Sequence, residues 1–410
     1  MVEFRDYQTK IIHKGVNVIR KSRFLYLAME VRTGKTLTSL GIASRLDVYN
    51  VLFVTKKKAI SNIEGDYKLL GPNYTLKVIN YESLHKIAPE EVYDLIILDE
   101  AHSMGAFPKP SKRAKQVRLL IAKHNPYVIL LSGTPTPESY SQMYHQVYGI
   151  PNNPFSEFKN FYRFSDVYVN VTQKKINGFN IKDYSGGRKD ILDKMEPYTI
   201  SYTQEQAGFT SSIDEEILYV PMKESTYDLC KRLKRDFVVE GKDEVILADT
   251  GVKMMSKLHQ MYSGTVKFES GNSMVIDKSK AEFIKWKFDR ERLGIFYKFK
   301  AELKALKEVF GDDICESVDE FDAGKSKHIA LQIVSGREGI SLKNADFIVF
   351  YNIDFSATSY WQARDRMTTK DRKHNKVYWI FAEKGIEGQV YKAVTNKKDY
   401  TLRHFRRDFS

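Results

Sequence analysis

Nine short runs of apolar, largely β-branched and aromatic residues punctuate the chain: RFLYLAM, NVLFVT, TLKVINY, YDLIILDE, YVILLSG, then RLGIFYK, HIALQIVS, DFIVFYN and KVYWIFA. Runs that stay apolar rather than alternating are strands buried on both faces. Stretches with helical spacing lie between them, and strand–helix alternation points to parallel sheets, whose neighbouring strands need a crossover. The first five runs and the last four form two clusters. Between them, residues 139–280 are richer in charge and aromatics, with hairpin-like turns at Asn177–Gly178 and Gly271–Asn272. The expected fold is α/β: two tandem domains, 1–218 and 219–410, with helical and hairpin insertions over 139–218 and 225–280.

Length supports that division, because 410 residues exceed what one hydrophobic core usually covers. Cysteines at 230 and 315 alone cannot build a disulfide framework, and the first residues lack a secretory apolar stretch. No run approaches 18 apolar residues, so no membrane span is expected. A reducing cytoplasm, bacterial or that of a host cell, fits these features. The net charge of +13 favours a polyanionic partner or serves solubility alone. The closing YKAVTNKKDYTLRHFRRDFS carries the same two readings.

The first run leads into EVRTGKT, and LTSLGIASRL then takes helical spacing, so Gly34, Lys35 and Thr36 open a helix whose N-terminal amides attract anions. In the pattern G-x-x-x-x-G-K-[ST] the first glycine is replaced by Met29. As a phosphate loop, Lys35 neutralises β- and γ-phosphate charge and Thr36 holds Mg²⁺. The bland alternative is a surface turn with an exposed lysine. Further on, YDLIILDEAHSMG is a buried strand ending in two acids and a histidine, costly near apolar surroundings without a task. Asp99 can ligate Mg²⁺ together with Thr36, and Glu100 can deprotonate a water aimed at the γ-phosphate. Alternatively these acids only cap a helix. The strand YVILLSGTPT then ends in Ser132 and Thr134, whose hydroxyls can bond neighbouring loops.

RTGKT, LDEAH and SGTPT in this order resemble the superfamily-two helicases, and YDLIILDEAHSMGAFPKPSKRAKQ resembles their Swi/Snf-type branch, in a compact form like that of bacteria and phages. The resemblance implies two RecA-like domains that bind ATP and Mg²⁺ and move on double-stranded DNA, with single-stranded DNA also open. In FRDYQ it implies that Gln8 reads the adenine edge, beside Arg5 and Tyr7, while Arg32 and Thr33 belong to the ATP loop. Nucleic-acid backbone contacts are implied for Thr55, Lys56 and Lys57, for Asn80 and Tyr81, and for Lys298. In IVSGREGISLKNADFIVFYNIDFSATSYWQARDRM, Ser335 and Arg337 join that surface, and Gln362, Arg364 and Arg366 form the motif facing ATP. His102, Ser132, Thr134 and Gln362 take the part of coupling.

Two departures stand out. Arg32 occupies a loop position where relatives carry a small residue. The motif Q-x-x-x-R-x-x-R keeps Arg366 but has Thr369 at its last place, so Arg366 is expected to act as the finger with help from Arg372. The segment 155–189 mixes aromatics and lysines, and either touches the duplex or packs as a small helical core. The expected function is a nucleic-acid-stimulated ATPase that works as a DNA translocase or helicase, monomeric and without a membrane, with replication or repair proteins as partners. An RNA-unwinding helicase and a slowly hydrolysing ATP-switched DNA clamp are the alternatives.

Overall fold

All nine apolar runs are strands, and they sort into two six-stranded sheets. In this computed structural model the described residues are 3–88, 90–176, 179–208, 212–241, 243–333, 342, 344–356, 360 and 374–396. The chain divides into two units, Met1–Phe209 and Thr210–Ser410.

In the first unit, β1 (Phe24–Met29), β2 (Asn50–Thr55), β3 (Thr75–Asn80), β4 (Leu95–Leu98) and β5 (Tyr127–Leu131) pair in parallel in the order β3-β2-β4-β5-β1. Side chains alternate between two cores: Phe24 and Tyr26 enter one, Leu25, Leu27 and Met29 the other. That is why β1, β4 and β5 are apolar at every position, each face being covered, whereas the edge strand β3 carries Thr75, Lys77 and Asn80. Each such buried side chain contributes roughly 1.5–3 kcal/mol. Helix α1 (Asp6–Ser22) packs Ile12, Val16 and Ile19 against the second core and stops where Arg23 turns left-handed at φ 62°. Helix α2 (Lys35–Ala43) follows β1 directly.

Segment 155–189 resolves in favour of a packed core. Phe155, Phe161 and Phe164 are fully buried, and the Phe155–Phe164 and Tyr144–Phe164 ring centroids lie 5.0 and 4.8 Å apart. β6 (Thr172–Ile176) and β7 (Phe179–Asp183) pair antiparallel, and the expected turn at Asn177–Gly178 lies outside the described residues. After it the chain returns to the first sheet: β8 (Thr199–Tyr202) pairs with β1 in parallel.

The boundary between units falls at Phe209/Thr210, ahead of the 218/219 division expected from sequence. The reason is β9 (Ser212–Val220), which pairs in parallel along all of β18 (His374–Ala382) in the second sheet. With charged residues in its first half, SIDEEILYV lacks the apolar signature of an internal strand, as suits a sheet edge. Its Glu215 accepts bonds from Tyr360 Oη (2.8 Å), Trp379 Nε1 (2.9 Å) and Tyr391 Oη (3.0 Å), which satisfy the carboxylate where β9 meets the core.

The second sheet takes the order β15-β16-β14-β17-β18-β9, with β14 at Leu293–Tyr297, β15 at Ile314–Cys315, β16 at His328–Gln332 and β17 at Phe347–Phe350. Ahead of β14 lie the helices Glu224–Asp236 and Gly251–Tyr262 and two hairpins, β10–β11 (Val238–Glu240, Val245–Leu247) and β12–β13 (Thr265–Lys267, Ser273–Val275). Gly271 turns the second hairpin at φ 96°. Each unit is thus a RecA-like parallel-sheet domain carrying inserted helices, with one hairpin in the first unit and two in the second. No described helix is long and apolar enough to cross a membrane.

Candidate active site

The site gathers beyond the C-terminal ends of β1, β4 and β5, where open parallel sheets bind ligands. Met29, at the place of the missing glycine, is not in the loop. It ends β1, pairs with Tyr202 and is fully buried, so its backbone has no need of glycine's freedom. The left-handed positions come later, at Arg32 (φ 63°) and Gly34 (φ 78°). The left-handed φ favours glycine at position 34, and a Cβ there would also meet Gln8 Nε2 at 2.4 Å and displace that amide.

Arg32 is different, since arginine holds a conformation that costs a non-glycine residue roughly 1–2 kcal/mol. Strain kept at a loop of this kind accompanies function. Arg32→Gly is expected to gain about 0.5–1 kcal/mol in unfolding free energy, part of the relief being returned as unfolded-chain entropy. The same variant should bind ATP more weakly. A melt and a nucleotide titration check both, and unchanged affinity would remove Arg32 from the nucleotide site.

Three of the loop carbonyls are engaged. Thr33 O accepts from Tyr7 Oη (3.1 Å), Gly34 O from Thr38 Oγ1 (2.9 Å), and Val31 O from Gln204 Nε2 (3.0 Å). Turned to these donors, the carbonyl dipoles leave the α2 N-terminus to face an anion. Gln8, expected to read a base edge, is buried against this loop: Oε1 accepts from Arg5 N (3.0 Å) and Nε2 lies 3.4 Å from Gly34 O. Arg5 Nη1 donates to Tyr7 Oη at 3.1 Å.

At the end of β4, burial pushes the Asp99 carboxyl up to about 6, and the Glu100 charge adds to this while Lys35 opposes it. One lysine against two adjacent acids leaves a site that a dication would offset. Asp99, just past the end of β4, and Thr36, in the first turn of α2, are oxygen donors of the kind Mg²⁺ uses with phosphate oxygens and water. Glu100 stands in the left-handed region at φ 50°, turned out of the strand direction. His102 Nδ1 lies 3.3 Å from Glu100 Oε2 and 3.0 Å from Ser132 Oγ, which accepts from Thr134 N at 3.1 Å. A Cβ on Gly133 would lie 3.5 Å from Lys35 Nζ, which sets segment 132–134 against the phosphate loop. Glu100, His102, Ser132 and Thr134 therefore form one polar chain between two strand ends.

Two residues expected to touch nucleic acid point inward instead. Thr55 is fully buried and its Oγ1 donates to Asp99 Oδ2 at 2.8 Å; Tyr81, also fully buried, donates its hydroxyl to Asp99 O at 2.7 Å. Their side chains secure the acidic strand end, so any contact they make with a nucleic-acid backbone is through their own main chain. Lys57 is exposed, Lys56 half-buried, and Asn80 Nδ2 donates to Glu82 Oε2 at 3.0 Å. In the second unit Lys298 is paired with Asp354 at 2.8 Å and lies 4.2 Å from the centre of the Phe355 ring. Ser335, Arg337, Gln362, Arg364, Arg366, Thr369 and Arg372 lie outside the described residues. Gln204 and Tyr202 carry no signal in the sequence, because SYTQEQ reads as a polar loop.

The fold and this site define a two-unit α/β protein with a candidate nucleotide site on its first sheet. Residues 290–368 match the helicase conserved C-terminal domain. A stretch of 155 residues, 37% of this chain, is 23% identical to the RNA polymerase-associated protein RapA of Serratia proteamaculans (strain 568), of which it covers 16%. Two solved structures of the Sulfolobus solfataricus SWI2/SNF2 ATPase core align over all of this chain with a TM-score of 0.44. The core in complex with dsDNA is 15% identical and covered to 95%, and the core domain alone is 16% identical and covered to 90%. The chain thus carries a segment similar to a helicase C-terminal domain, and it spans about a sixth of the length of the curated relative it matches.

Proposed function

We propose that this protein hydrolyses ATP with Mg²⁺ and uses the cycle to move along, or remodel, double-stranded DNA. The observation that carries the reading is the double hydrogen bond on Asp99. Thr55 and Tyr81, at the starts of the two first-unit segments assigned to the nucleic-acid backbone, both hold the residue assigned to the metal. A backbone gripped at Lys56, Lys57 and Asn80 would shift the acid that orders the reaction.

Lys35 binds the β- and γ-phosphates and Glu100 takes the proton from the attacking water. His102 holds the Glu100 carboxylate, and Ser132 relays its position to Thr134. Thr36 and Asp99 would hold Mg²⁺, which would supply neutralisation of the phosphate charge. Arg366, with Arg372, is assigned to transition-state charge in the second unit. The net charge of +13 fits a polyanionic track and makes binding fall with salt.

ATPase rates without nucleic acid and with duplex DNA, single-stranded DNA or RNA test the assignment. The largest stimulation is expected with duplex. Greater stimulation by RNA would instead make the protein an RNA-unwinding motor, and tight duplex binding without stimulation would make it an ATP-switched clamp.

A further inference from the structure

We propose that Gln204, carried with Tyr202 on the segment that closes the first unit, is a positioning residue for the nucleotide. It holds the phosphate loop in its anion-accepting shape and ties that loop to the chain leading into the second unit. The inference rests on the loop being a nucleotide site.

A phosphate loop must present amides and keep carbonyls and carboxylates away from the polyphosphate. Here Glu30 places an acid at the loop's first position. Its Oε2 accepts from Gln204 N at 2.8 Å, while Gln204 Nε2 donates to Val31 O at 3.0 Å. One residue, through backbone and side chain, therefore restrains an acid and a carbonyl on consecutive loop residues.

Tyr202 adds a second hold. Its carbonyl accepts from Glu30 N at 3.0 Å, and its ring stacks on Tyr7 with centroids 4.7 Å apart and 15° between planes. Tyr7 in turn bonds Thr33 O, so the segment reaches both ends of the loop.

The segment is braced within itself. Tyr202 Oη donates to Gln206 O at 2.8 Å, Thr203 N to Gln206 Oε1 at 2.9 Å, and Gln206 N to Thr203 Oγ1 at 3.1 Å. A turn closed by three such bonds moves as a piece. The unit ends at Phe209, so a loop reshaped by nucleotide displaces the start of the connection by covalent continuity. Linkage makes the effect reciprocal: whatever biases the connection also changes nucleotide affinity.

Gln204→Ala and the isosteric Gln204→Glu test this. The glutamate keeps the backbone amide and the size but sets a carboxylate against Val31 O, so it remains readable if the alanine variant folds poorly. For both, the Kd of a fluorescent ATP analogue and the KM for ATP should rise about tenfold, the loss expected for a well-placed hydrogen bond in this setting, with kcat within twofold. The difference in duplex affinity with and without a non-hydrolysable ATP analogue should shrink toward none. Nucleotide affinity within twofold of wild type in both variants overturns the proposal. A wild-type chain that binds nucleotide but is not stimulated by nucleic acid overturns the motor reading alone.

Discussion

Glu100→Gln is expected to bind ATP at least as tightly as wild type while turnover falls about a hundredfold or more, the range for loss of a positioned general base. The affinity follows from electrostatics: the amide removes one of two adjacent negative charges, and Asp99, freed of that repulsion, ionises more readily. Lys35→Ala should lose both affinity and rate. A charged hydrogen bond of about 1.5–3 kcal/mol corresponds to roughly tenfold to a hundredfold in nucleotide Kd. Equilibrium binding and single-turnover hydrolysis separate the two variants, and undiminished turnover in either would sink the site assignment. The pH dependence of stability follows from Asp99 as well. Its folded value is raised, so the folded state binds the extra proton between the ordinary carboxylate range and about 6. Its contribution to stability therefore declines as pH rises through that window.

The second large effect belongs to stability. Lys280 Nζ and Glu387 Oε1 are 2.7 Å apart with both side chains fully buried, joining the helix Ser279–Lys287 to the helix Glu387–Thr395. Removing one partner leaves a buried charge alone, so Lys280→Met or Glu387→Leu should each cost about 3–5 kcal/mol. The double variant should recover most of that loss, because two apolar residues of similar size need no solvation. All three tryptophans, at 286, 361 and 379, lie in the second unit, so denaturation followed by their fluorescence reads this unit by itself. Single variants as stable as wild type would show the pair to be hydrated or replaceable.

Nine strands, the two-sheet division and the strand–loop–helix turn at Gly34–Thr36 were legible because they rest on local rules. Apolar runs buried on both faces look alike wherever they occur, and a loop between strand and helix is a nearest-neighbour feature. The edge strands β8 and β9 escaped notice because TISY and SIDEEILYV carry polar residues on a half-covered edge. Motif spacing also placed Thr55 and Tyr81 near nucleic acid, yet spacing says nothing about which way a side chain points at a strand end. The fold turns both onto Asp99.

The sequence by itself determined which elements form and which chemical groups stand at their ends, since periodicity and residue type act along the chain. Tertiary structure decided which of those groups meet. Gln204 lies 174 residues from Glu30 in the chain and within hydrogen-bond reach of it in space, because β8 joins the sheet beside β1. Met29 ceases to be an anomaly by the same pairing. No local rule encodes either result, because both come from long-range strand order.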